Sequence, residues 1–91
     1  DARLIRMLAL AHAWLGEIRS GTLVKEIAAR HGWQSAMVRQ RIQLAFLSPR
    51  IVAAILEGRQ PTELTLTRLI ASDIPSDWDE QWAALGFDAA A

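Results

Sequence analysis

The chain has 91 residues, ten basic and ten acidic side chains, two histidines and no cysteine. Without cysteine neither a disulfide framework nor a thiolate metal site can form, which fits a cytoplasmic protein, and five glycines and three prolines are too few for a disordered chain. Hydrophobic residues make up 52% of the total, enough for a single domain spanning 1–91 around one core. The zero net charge conceals an asymmetry. Residues 1–60 carry nine basic and four acidic side chains, whereas residues 61–91 carry one basic and six acidic. A basic body with an acidic tail is expected. The chain begins at Asp1 without a methionine, as expected of a piece of a longer protein.

Residues 2–19 read as the first and longest helix. Leu4, Leu8, Ala11, Leu15 and Ile18 recur on one face, Met7 and Trp14 widen it, and Gly21 is placed to end it. Arg6, His12 and Glu17 interrupt this apolar stretch, so no membrane span is expected, and no signal peptide is visible. His12 lies at the edge of the apolar face with no second metal ligand in reach of a spacing argument, so it reads as a boundary residue.

Residues 23–47 have the spacing of a helix-turn-helix. Leu23–His31 form its first helix, Ala28 sits where two helices must cross closely, and Gly32 supplies a turn that requires positive φ. Trp33 occupies the turn and is expected to pack inward. Ser35 is placed to cap a second helix over Ser35–Leu47, whose buried stripe is Val38, Ile42 and Ala45. Arg41 falls beside that stripe, its stem covering apolar surface. The opposite face presents Ala36, Arg39, Gln40 and Gln43, the kinds of side chain that read base edges in a major groove. From Arg19 to Arg50 there are six basic residues and only Glu26 to oppose them, an electrostatic footprint for phosphate. Lys25, Arg30, Ser35 and Arg50 are the candidate phosphate contacts, and double-stranded DNA is the expected partner. The competing reading is an αα-hairpin with a merely solvated polar face.

Ser48 followed by Pro49 is a helix start, with Ile51, Val52, Ile55 and Leu56 forming the apolar side and Gly58 the stop. After Pro61, Thr62 or Thr65 can cap a fifth helix carrying Leu66, Leu69 and Ile70. Asp73, Ile74 and Pro75 break the chain. Ser76 with Asp79 resembles a capping box opening a last helix, whose Trp78, Trp82 and Leu85 share a side and anchor it to the body with Phe87. The expected fold is all-α, a small bundle of about six helices.

No catalytic site is expected. Each serine has a structural role at a helix end, and Asp77, Asp79 and Glu80 complement the dipole of the last helix. No phosphate-cradling glycine loop occurs, and neither a metal nor a cofactor is expected.

The run LAFLSPRIVAAILEGRQPTELTLTRLI, preceded by EIAARHG and followed by DWDEQWAALGF, resembles the C-terminal segment of serine site-specific recombinases of the resolvase/invertase type. The similarity extends over nearly all of the chain, including AHAWLGEIRSG, and the Leu44–Thr65 phrase is its distinctive part. The helix-turn-helix portion also resembles ParB-type partition proteins. The resemblance implies an accessory DNA-binding domain whose catalytic domain, carrying the serine nucleophile, precedes Asp1. Arg39 and Arg41 depart from the serine and leucine common at those positions in the family, which implies altered DNA specificity or, for Arg41, a helix used less for reading bases. Two other readings stand beside it: a stand-alone or partition-type DNA-binding regulator, and a protein-interaction domain that assembles recombinase subunits.

Overall fold

The computed structural model describes residues 2–87, and these form six α-helices and one 3-10 turn with no strand. The helices are α1 (Ala2–Arg19), α2 (Val24–His31), α3 (Ser35–Ile42), α4 (Pro49–Leu56), α5 (Leu66–Ala71) and α6 (Trp78–Ala84), with the 3-10 turn at Gln43–Phe46 after α3. The fold is all-α, as expected.

The long helix α1 is the spine. Leu4, Met7, Leu8, Ala11 and Trp14 are buried along it at three- and four-residue intervals, and α3, the 3-10 turn, α4 and α5 pack against it. The core continues through Ile27 and Ala28 of α2, Val38 and Ile42 of α3, Leu44 and Leu47, and Ile51, Ala54 and Ile55 of α4. Leu64, Leu69, Leu85 and Phe87 close it from the C-terminal side. None of the described helices is long and apolar enough to cross a membrane.

The α2–α3 junction shows how local chemistry sets the geometry. Gly32 has φ 67°, and its N–H donates to the carbonyls of Ala28 and Ala29, while the Trp33 N–H donates to Ala28 at 2.9 Å. This closes the carbonyl end of α2 by the left-handed route open to glycine. Ala28 is 3% exposed on the α2 helix that packs against α3.

Four local expectations are corrected. Ser35 is the first residue of α3 and Gln34 stands at the cap without any side-chain bond, because the backbone bond of Met37 to Gln34 closes the first turn one residue earlier. α3 stops at Ile42 and does not run to Leu47. The tighter 3-10 repeat aligns residues three apart, so Leu44 and Leu47 both enter the core, Ala45 is half-buried and Phe46 is turned out. At α6 the cap is Asp77 and not Ser76: its Oδ1 accepts from the N–H groups of Asp79 at 2.8 Å and Glu80 at 3.0 Å. Trp78, expected to anchor α6, is 57% exposed, because as the first helical residue its side chain leans off the N-terminal end.

Other ends form as expected. Ser48 Oγ accepts from the Ile51 N–H with Pro49 at the first helical position, and Thr65 caps α5 by accepting from Arg68. Phe87 folds back past Gly86 and is buried, stacked on Trp82 with ring centroids 4.6 Å apart.

Candidate functional site

The face of α3 away from the core carries the expected side chains. Ala36, Arg39 and Gln40 are exposed within an arc of about 100° at helical spacing, and Gln43 follows, exposed, at the start of the 3-10 turn. Val38 and Ile42 point the other way, into the core. Burial of these two residues against α1 and α2 therefore fixes the direction in which Arg39 and Gln40 project.

The cations around this face fall into two groups. Lys25 on α2 and Arg39 on α3 are exposed and have no ion pair or side-chain hydrogen bond among the described residues. The others are engaged within the chain. Arg30 Nη2 donates to Glu17 Oε1 at 2.7 Å, tying α2 to α1 across an exposed edge. The Arg50 guanidinium carbon lies 3.6 Å from the Trp82 ring centroid. Arg41 rests over Trp33 at 5.3 Å and donates from Nη1 to the Met37 carbonyl at 3.4 Å, so its stem and head both cover apolar surface. Ser35 is half-buried beside the turn, its hydroxyl making no bond among the described residues.

Behind the turn lies an aromatic cluster. Trp14, 1% exposed, meets the edges of His31 and Trp33 at 5.4 and 5.9 Å, and His31 stacks on Trp33 at 4.9 Å. Trp33 packs inward as expected, and with Arg41 above it the turn is clamped between α1 and α3. These contacts fasten the turn and α3 to α1.

The sequence reading missed Gln81, which is 1% exposed. Its Oε1 accepts from the Ser48 N–H at 2.8 Å, and its Nε2 donates to the carbonyls of Pro75 at 2.8 Å and Phe46 at 3.2 Å. One amide thus serves three backbone groups from three segments. The signal was available: Gln81 lies three residues after Trp78 and four before Leu85, a polar residue on an otherwise apolar stripe. Also unforeseen is a groove of about 510 Å³ between α1, the 3-10 turn and residues 74–78, beside the exposed Phe46 and Trp78.

No group of three or more potential metal ligands occurs among the described residues. Comparison with protein-family models, curated proteins and solved structures gives no match.

Proposed function

We propose that this chain is a helix-turn-helix DNA-binding module, with α3 as the recognition helix lying in the major groove. The observation that carries the reading is the pairing of an exposed Ala36, Arg39, Gln40 and Gln43 face with uncommitted cations at Arg39 and Lys25. Arg39 and Gln40 have the donor and acceptor geometry to read base edges, and Ala36 and Gln43 flank them. Lys25, in the first turn of α2, and the Ser35 hydroxyl, at the start of α3, serve phosphate. Arg30 and Arg50, exposed beside Glu17 and Trp82, add further phosphate contacts.

In this reading the module is an accessory domain of a cytoplasmic serine site-specific recombinase, which it positions on the recombination site. It cleaves nothing itself. The support for the recombinase context is the sequence resemblance centred on Leu44–Thr65.

The test is a fluorescence titration of the chain against duplexes, with salt varied. Arg39→Ala is expected to weaken binding by about 1–3 kcal/mol and to relax preference at one base pair. Lys25→Ala should weaken binding to all sequences and make the salt slope shallower by about one unit. An Arg39→Ala variant with unchanged affinity and preference would remove α3 from the interface, and failure to bind any duplex at low salt would overturn the reading.

A further inference from the structure

We propose that Arg41 is a phosphate contact that holds the wall of the major groove on the flank of α3 opposite Arg39. The inference rests on the DNA-binding reading above, and it gives a partner to a side chain that the sequence assigns only to covering apolar surface. A helix about 10–12 Å across fills a major groove about 12 Å wide. Its outermost residues therefore face the base edges and its flanks face the sugar-phosphate walls. Val38 and Ile42 enter the core, and Gln40 lies midway between them in α3, so Gln40 is the outermost residue. At about 100° per residue, Arg39 and Arg41 fall on the two flanks, one to each side of Gln40.

The two arginines differ in how they are held. Arg39 is exposed with no side-chain partner among the described residues, so its long stem can swing from its flank to a base edge. Arg41 is half-buried and fastened in place. Its guanidinium lies over the Trp33 ring at 5.3 Å, and its Nη1 donates to the Met37 carbonyl at 3.4 Å. The ring contact uses none of the N–H donors. Nε and Nη2 have no hydrogen bond, and Arg41 has no ion pair, among the described residues. No carboxylate stands ready to take them: α3 has none, and that of α2 is Glu26, in the first turn and so at the end away from Trp33. A cation held on a groove-facing flank with open donors is complementary to a phosphate oxygen. Because Trp33 already restrains the side chain, little rotamer freedom is left to lose when the phosphate arrives.

The experiment is a fluorescence titration of the whole chain with one short mixed-sequence duplex over a range of salt. One phosphate contact changes log K by about 0.9 per decade of salt, so a contact that vanishes at about 1 M is worth about eightfold in affinity at about 0.1 M. Arg41→Met keeps an apolar stem over Trp33 and removes the charge. It should bind about eightfold more weakly at about 0.1 M salt and flatten the salt slope by about one unit. Arg41→Lys returns the charge without the planar head, and should restore the slope and part of the affinity. Arg68→Met removes an exposed cation without a salt bridge from α5, and should leave both unchanged. Circular dichroism of each variant confirms that the helices are retained. In a chain that binds duplex, a slope and affinity indifferent to Arg41→Met, or an equal loss from Arg68→Met, would overturn this contact and leave the DNA-binding reading standing. No binding by the unaltered chain at low salt would overturn both.

Discussion

The two ends of the molecule are held by different physics. At the α1–α2–α3 end, apolar side chains interlock: Leu8, Ala11, Trp14, Ile27, Ala28 and Val38 are all buried, and polar atoms only decorate the rim. At the α6 end, one glutamine amide bonds three backbone groups while Trp82 and Phe87 stack beneath Arg50. Apolar interlocking is non-directional and spread over many atoms. A hydrogen-bonded clip is concentrated in one side chain and depends on direction. The first design spreads its hold over many interlocked side chains, and the second adds one directional amide to the burial of Leu85 and Phe87.

The sharpest way to break the first end is Trp14→Ala. It removes an indole that touches His31 and Trp33, and a loss of about 3–5 kcal/mol is expected, as for other large-to-small core changes. Chemical denaturation should show the whole molecule unfolding earlier, in one transition. The second end should respond differently. Gln81→Leu keeps the volume but strands the Ser48 N–H and two carbonyls, costing about 1–3 kcal/mol for each group left without water or a partner. Hydrogen exchange should then speed up in α6 and around Ser48 while α1–α3 stay protected. Gln81→Glu keeps the acceptor for Ser48 but faces two carbonyl oxygens with a carboxylate, so it should be no better tolerated than leucine. Uniform loss of protection along the chain would show that the two ends are one cooperative unit. The smallest effect concerns the start of α6. Asp77→Ala removes the acceptor for two N–H groups and should cost about 1 kcal/mol, seen as a lower melting temperature, whereas Ser76→Ala should change nothing measurable.

The same contrast explains what could be read from sequence. Gly32, Ser48 with Pro49, and the Val38–Ile42 stripe act within a turn or two of themselves, so spacing alone reveals them, and with them the exposed Ala36, Arg39 and Gln40 on α3 and Gln43 just beyond it. Gln81 acts on Ser48 across 33 residues and on Phe46 across 35, and Arg30 finds Glu17 across 13. Nothing local announces such partners. Trp78 and Trp82 share a face by periodicity, yet only Trp82 is covered, because the helix begins at Trp78 and the core ends before it. The contact of Arg50 with Trp82 is of the same long-range kind, and nothing beside Arg50 in the sequence points to it.

The four tryptophans have a consequence for watching this molecule at work. Trp14 is sealed inside, Trp33 sits under Arg41 next to α3, Trp82 is sandwiched by Phe87 and Arg50, and Trp78 stands in water. The four indoles therefore differ in exposure, with Trp14 and Trp33 touching and sharing His31 as a neighbour. The chain carries built-in optical probes at its interior, beside its α3 face, at its clip and in its groove, and replacing the indoles one at a time separates what each adds to the common emission.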